Sequence, residues 1–337
     1  MVKDKTASVR QKRRKDRLAD EGLYKRHVIV HEKCKYVFEK IKPYFSSAQY
    51  ADDLDNIFSA ILEARPINVS KVRQLSPFRY PGGKTWLVPE IRKWIKSLYF
   101  RPKLFIEPFA GGAIISLSIA AENLADKIIF SEIDPDVAAV WFTILSNPKE
   151  LTSSILNFDV NLHNVKELIN SNPITIEERA FRTIVKNRTQ RGGILAPGAS
   201  LVKSGENGKG LMSRWYPVTL ANRIEAIHNI REKIQFFETD AFKIIDNYQN
   251  HKSAVFFIDP PYTAGGKKAG TRLYSYSSID HERLFSKMSQ IKGLFLMTYD
   301  DTPEVIRLAK KHNYIINKIP MKNTHHEVKY ELMIKKG

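Results

Sequence analysis

The stretch Ala254-Val255-Phe256-Phe257-Ile258-Asp259-Pro260-Pro261-Tyr262 limits the possible folds more than any other. Five consecutive apolar residues have no polar face, so the run predicts a short strand covered on both sides, as in a parallel sheet. Proline cannot donate to a sheet, and it holds the residue before it in extended backbone. The strand therefore has to end at Asp259. A carboxylate, exposed carbonyls and an aromatic ring are left at the carboxyl end of a buried strand, where open α/β sheets bind ligands.

Such a turn suits alkylation of an exocyclic ring amine. The amine's lone pair is delocalised into the ring, which makes the nitrogen a poor nucleophile. Hydrogen bonds to Asp259 and to the Pro260 carbonyl would localise it, and Tyr262 would stack on the base for in-line attack on a methyl sulfonium. The alternative is an ordinary strand ending in a Pro-rich turn.

Two upstream segments supply what a nucleoside ligand needs. Lys103-Leu104-Phe105-Ile106-Glu107-Pro108-Phe109-Ala110-Gly111-Gly112-Ala113 predicts a strand, a glycine turn and a helix through residue 121. This is the nucleoside-binding unit of Rossmann-like folds, although the spacing of the dinucleotide fingerprint is absent. Residues 127–134 predict a second strand ending in acids. Glu132 is the first candidate to accept from ribose hydroxyls and Asp134 the second, with helix capping before Pro135 as its alternative. Ahead of both, Pro77-Phe78-Arg79-Tyr80-Pro81-Gly82-Gly83-Lys84 puts paired glycines and a cation before a helix at 85–98, without the spacing of a P-loop.

The 337 residues carry a net charge of +18, which favours a polyanionic partner. No apolar run of membrane-spanning length occurs. The single cysteine, Cys34, excludes intrachain disulfides and predicts a reducing, cytoplasmic setting. Residues 1–26 hold ten Lys/Arg against four Asp/Glu. They predict a basic helix ending at Gly22, followed by a strand at 27–30 and helices at 32–44 and 50–64, an order that resembles ribbon-helix-helix DNA-binding modules.

Residues 143–233 separate the second and third strands of the cofactor site, helical at first and then irregular. Between Lys186 and Arg223 there are seven Lys/Arg and one acid, with many glycines and the pair Trp215-Tyr216. A flexible, basic, aromatic-bearing segment can track phosphates and reach base edges. Arg188, Arg191, Lys203, Lys209 and Arg214 are its DNA-contact candidates. Residues 263–278 predict a mobile lid that orders over DNA or cofactor, with Lys267, Lys268 and Arg272 as further DNA-contact candidates and plain disorder as the alternative. Further on come a helix at 281–291, a strand at 293–299, a helix at 303–311 and a hairpin of 314–319 with 329–334. His325-His326 lacks a third partner for a metal site.

In the order Pro81-Gly82-Gly83-Lys84, Glu107-Pro108-Phe109-Ala110-Gly111-Gly112, Ser131-Glu132-Ile133-Asp134 and Asp259-Pro260-Pro261-Tyr262, the sequence resembles the Dam-like, D12-class (alpha arrangement) adenine-N6-specific DNA methyltransferases over residues 75–337. The resemblance implies an α/β fold with a Rossmann-like seven-stranded methyltransferase sheet and an inserted target-recognition region; residues 1–74 lie outside it and are read from their own composition as a small N-terminal basic, helical domain. It implies S-adenosyl-L-methionine as methyl donor and adenine N6 in double-stranded DNA as acceptor, with base flipping. The expected partition is 1–70 accessory with a possible DNA contact, 75–142 cofactor-binding, 143–233 target-recognition and 234–337 catalytic.

By the same resemblance, Tyr80, Gly83 and Lys84 lie at the methionine end of the cofactor. Glu107, Phe109, Ala110 and Gly111 surround it, and Glu132 holds the ribose. Asp240, Ala241 and Phe242 border its adenine, while Asp259, Pro260 and Tyr262 hold the target base. Asn187-Arg188-Thr189 with Gly192-Gly193 resembles the family's loop near the flipped base, and Gly112-Ala113 departs from the Gly-Ser of many relatives. A cognate restriction endonuclease is a candidate partner, and the chain is expected as monomer or homodimer. Competing readings are methylation of RNA or of a protein amide, a DNA-binding regulator on an inactive methyltransferase fold, and operator binding by residues 1–45.

Overall fold

The computed structural model describes residues 32, 35–46, 50, 69–79, 82–263, 279–322 and 328–336. The chain forms two compact units, Met1–Arg65 and Pro66–Gly337. In the first, helix α1 (Lys35–Ile41) runs into a 3-10 turn, Lys42–Ser46, inside the segment predicted as helix. The predicted basic helix, the strand at 27–30 and the helix at 50–64 beyond Tyr50 lie outside the described residues. So do Tyr80, Lys267, Lys268, Arg272 and the pair His325-His326.

The second unit is built on strands β1 (Leu104–Glu107), β2 (Lys127–Glu132), β3 (Ile234–Glu238), β4 (Ala254–Ile258), β5 (Leu294–Asp300), β6 (Ile315–Lys322) and β7 (Val328–Lys335). They form one seven-stranded sheet in the order β3-β2-β1-β4-β5-β7-β6. The first five strands of that order are parallel, and β7 runs antiparallel between β5 and β6. Strand order reverses between β1 and β4, and a crevice opens at the carboxyl ends of strands at such a reversal.

Alternation along the strands feeds two cores. Phe105, Val255 and Phe257 pack with Leu87, Ile91 and Trp141 on one face. Ile106, Phe256 and Ile258 pack with Leu284, Phe285 and Val305 on the other. Every residue of β4 is buried, which is why its sequence has no polar face. Each large side chain so covered contributes about 1.5–3 kcal/mol.

The first face is covered by α2 (Val88–Ser97), α3 (Ile114–Ala121) and α4 (Pro135–Ser146), the second by α9 (Ala241–Tyr248), α10 (His281–Gln290) and α11 (Pro303–Lys311). The helix expected at 85–98 starts as a 3-10 turn, Lys84–Leu87, and becomes α-helical where a proline enters the first turn.

Between α4 and β3 lie α5 (Lys149–Asn157), α6 (Leu162–Asn170), α7 (Ile176–Thr189) and α8 (Pro217–His228). A capping box of Thr175 and Glu178 starts α7. Asp136 on α4 holds α7 through Arg182 at 3.2 Å and Lys186 at 3.5 Å. Helix α8 corrects the expectation that this region ends irregular. Pro217 opens the helix, and Leu220, Ala221, Ile224 and Ile227 bury one face at helical spacing. Trp215 is buried against Phe158 and is no surface aromatic, whereas Tyr216 beside it is exposed.

Candidate active site

Parallel strands in register bring their carboxyl ends to one edge of the sheet. Leu104 pairs with both Lys127 and Ala254, so Glu107, Glu132 and Asp259 emerge side by side at the ends of β1, β2 and β4. They line a cleft of about 670 Å³. That falls within the roughly 300–1,000 Å³ usual for small-molecule sites. Of the residues assigned to cofactor or target base from sequence, Tyr80 lies outside the described residues and all the others border this cleft.

The loop after β1 is strained where it meets the cleft. Gly111 and Ala113 both have positive φ, 47° and 49°. For alanine this left-handed backbone costs about 1–2 kcal/mol. No side chain caps α3 at Ala113. Glu107 does so from outside, its Oε2 accepting the Ser116 N–H at 2.9 Å. An acid at a helix N-terminus is favoured in its charged form. Burial nevertheless prevails and pushes the Glu107 carboxyl up to about 8. Trp141 donates to the Gly111 carbonyl at 3.0 Å, and Ser131 to that of Pro108 at 2.8 Å, which fixes the loop from beneath.

Glu132 folds back on its own chain, Oε1 accepting from Ile133 N at 2.8 Å and Asp134 N at 3.0 Å. Burial pushes it up to about 7, partly opposed by those donors. Asp134 caps α4 through Asp136 N. Asp240 likewise caps α9 through Phe242 N at 2.8 Å, with its carboxylate on the cleft wall. Ile133 is exposed on the cleft between the two acids, and the Arg283 guanidinium lies over the Phe242 ring at 4.4 Å.

Asp259 stands at the other end. Its Oδ1 accepts from Thr298 at 2.7 Å and Tyr262 at 3.0 Å, and ion-pairs with Lys84 at 3.0 Å. Lys84 is only 5% exposed; its ammonium also donates to Gly82 O and sits 4.7 Å from the Tyr262 ring centre. Burial works against its charge, but Asp259 and Glu331 outweigh burial and hold it above its ordinary value. Tyr262 stacks on Tyr299 at 5.8 Å. Burial, then Asp259 and Glu331, push its phenol well above 10.

Two residues of the site, Thr298 and Glu331, were absent from the sequence reading. Glu331 on β7 contacts Tyr262 at 3.2 Å and Lys84 at 3.9 Å. Because β7 is antiparallel, its early residues meet the carboxyl edge of β5, Glu331 opposite Asp300. A lone acid in the run Tyr330-Glu331-Leu332-Met333-Ile334 was the available signal. Asn187 of α7 is fully buried and takes both backbone groups of Arg79, its Oδ1 accepting from Arg79 N at 2.8 Å and its Nδ2 donating to Arg79 O at 3.1 Å. The same amide donates to Gly193 O at 2.8 Å. Gly193 has φ +73°, and a Cβ there would collide with Arg79 O.

The basic candidates separate. Arg191, Lys203 and Lys209 are exposed but do not border the cleft, and neither does half-buried Arg214. Arg188 is not the surface contact its sequence neighbours suggest. It is 6% exposed and donates to Pro77 O, with Nε unpartnered. Burial, then Arg223, Arg79 and Arg214, push it down to about 10. Arg79 and Arg223 border the cleft, and among the described residues no carboxylate pairs with either of them or with Arg188.

A sequence family described as D12 class N6 adenine-specific DNA methyltransferase matches residues 80–328. No curated protein matches the chain. Solved structures similar to it include the rRNA methyltransferase aviRa from Streptomyces viridochromogenes, at 13% identity and TM-score 0.38, covering 81% of this chain and 94% of that one. Another is Precorrin-6y C5,15-methyltransferase from Geobacter metallireducens, at 9% identity and TM-score 0.31, covering 73% and 86%. At these scores neither structure bears on the activity of this chain.

Proposed function

The chain belongs to the D12 class of N6 adenine-specific DNA methyltransferases and moves a methyl group from S-adenosylmethionine to adenine N6 in DNA; from that premise we propose that Asp259, Pro260 and Tyr262 hold the amine of an adenine flipped out of duplex DNA. The observation that carries this reading is the position of Asp259 in one cleft with Glu107, Glu132 and Asp240. Those residues suit the cofactor. Glu132 offers a buried acceptor to the ribose hydroxyls, Asp240 a polar edge to the adenine, and Ile133 and Phe242 apolar cover to its faces. When bound, the cofactor supplies an electrophilic methyl carbon on a sulfonium sulfur.

Three donors occupy Asp259 Oδ1, so Oδ2 is the oxygen left for the target amine. A hydrogen bond there and a second to the Pro260 carbonyl draw N6 toward tetrahedral geometry. With the methyl donor bound, the N6 lone pair would take the methyl carbon as the carbon–sulfur pair returned to sulfur, and Asp259 or water would accept the surplus N6 proton. Fixed dipoles and orientation supply the rate. Flipping is required because N6 is otherwise paired within the duplex. Arg79 and Arg223 on the cleft wall are suited to backbone phosphates, and the exposed Arg191, Lys203 and Lys209 supply further cations outside the cleft.

Asp259→Ala tests the assignment. Labelled-methyl transfer to duplex DNA is expected to fall below detection, with cofactor affinity retained by calorimetry. Near-normal turnover in the variant overturns the role of Asp259, and preferential methylation of RNA by the wild-type protein overturns duplex DNA as substrate.

A further inference from the structure

The Tyr262 hydroxyl lies 3.0 Å from Asp259 Oδ1 and 3.2 Å from Glu331 Oε2. A phenol has one hydrogen to give, so it cannot donate to two carboxylates at once. One of the two contacts needs its hydrogen from a carboxyl group. Asp259 already faces the Lys84 ammonium and the Thr298 hydroxyl, the surroundings of a carboxylate. Glu331 is buried, 3.9 Å from the ammonium, and opposite Asp300 across the β5–β7 pair. From β6 it faces only Ile319. Glu331 is therefore the acid of the pair that keeps its hydrogen.

We propose that Glu331 is a positioning residue whose own proton sets how strongly Asp259 binds the target amine. With Glu331 protonated, hydrogen bonds run from Glu331 to Tyr262 and from Tyr262 to Asp259, and Asp259 is a damped acceptor. With Glu331 ionised, it claims the Tyr262 hydrogen and shares the Lys84 charge, which frees Asp259. Methyl transfer carries positive charge from sulfur to N6, toward this cluster, so a second anion beside Asp259 favours the reaction as well. Burial pushes the Glu331 carboxyl up to about 7, against the pull of Lys84, so the change falls near neutral pH. Asp259, Lys84, Tyr262 and Asp300 are the titratable groups that face it.

This inference rests on Asp259 being the residue that holds the amine. Glu331→Gln keeps a donor to Tyr262 and cannot ionise. In single-turnover assays with cofactor saturating at every pH, the wild-type rate is expected to rise about fivefold through pH 7, the size of one redistributed hydrogen bond. E331Q is expected to hold the low-pH rate throughout. The same rise in E331Q overturns the proposal. Activity surviving in Asp259→Ala removes the underlying assignment instead, which separates the two failures. A readout independent of turnover is carbon-13 NMR of glutamate carboxyls in the ligand-free protein, which needs no folded E331Q. Of the two resonances titrating near pH 7, that of Glu331 is expected to move in Tyr262→Phe while that of Glu132 stays, and if the Glu331 resonance does not move the coupling is absent.

Discussion

Replacing Glu107 by glutamine gives a direct measure of what this site costs the fold. The folded chain holds the Glu107 proton up to about pH 8, whereas an unfolded chain releases it near 4.5. A carboxyl raised in the folded state contributes stability that is whole below the unfolded pKa and is lost as pH climbs to the folded one. Each tenfold step in that interval is worth 1.36 kcal/mol, so the loss above pH 8 is on the order of 5 kcal/mol. Domains have only about 5–15 kcal/mol in total. Glutamine keeps an oxygen for the Ser116 N–H that Glu107 caps, but has nothing to titrate. Urea unfolding of both proteins without cofactor, near pH 5 and near pH 9, measures the difference. The two are expected to be close in acid, with E107Q more stable by several kcal/mol in base. Parallel pH dependences in the two proteins would refute the burial of an acidic proton at the end of β1.

Asn187→Ala strands the N–H and C=O of Arg79 and the C=O of Gly193. At about 1–3 kcal/mol for each group left unpaired, less what water recovers, the loss is about 3–5 kcal/mol. Denaturant midpoints measure it, and a loss below about 1 kcal/mol would mean the loop closes over the gap. Glu132→Gln bears on the cofactor. Ribose hydroxyls donate best to the ionised acid, so wild-type affinity for S-adenosylhomocysteine is expected to tighten as pH rises through about 7. Calorimetry on E132Q is expected to find weaker binding that no longer depends on pH in that range. Retention of the pH dependence would assign the ionisation to another group.

Sequence disclosed most where one contiguous stretch carries both the local structure and the chemistry. The β4 run and its two prolines define a strand end without reference to anything distant, and the glycine turn after β1 and the acids after β2 are equally local. Such local pieces in order were enough for the sheet. Thr298 and Glu331 were not legible, because each acts through contacts made far along the chain; Asn187 was legible through the resemblance as part of a loop near the flipped base, but not as the clamp on Arg79. Glu331 meets Tyr262 across 69 residues, and Asn187 meets Arg79 across 108. Helix α8 was hidden by composition, since a glycine-rich basic stretch leads directly into it. Arg188 was misread for a related reason. Charge in sequence says nothing of depth, and its guanidinium is turned inward.

The amide of Asn187 fastens α7 to the residues just before Gly82, Gly83 and Lys84. A rigid rod thus joins the region that would meet DNA to the cation resting on Asp259. Past Gly193, whose carbonyl completes the joint, the chain could lengthen or be exchanged without disturbing it. The final turns of the rod cannot, so new target preferences should arise by grafting loops beyond it while its buried end is inherited whole.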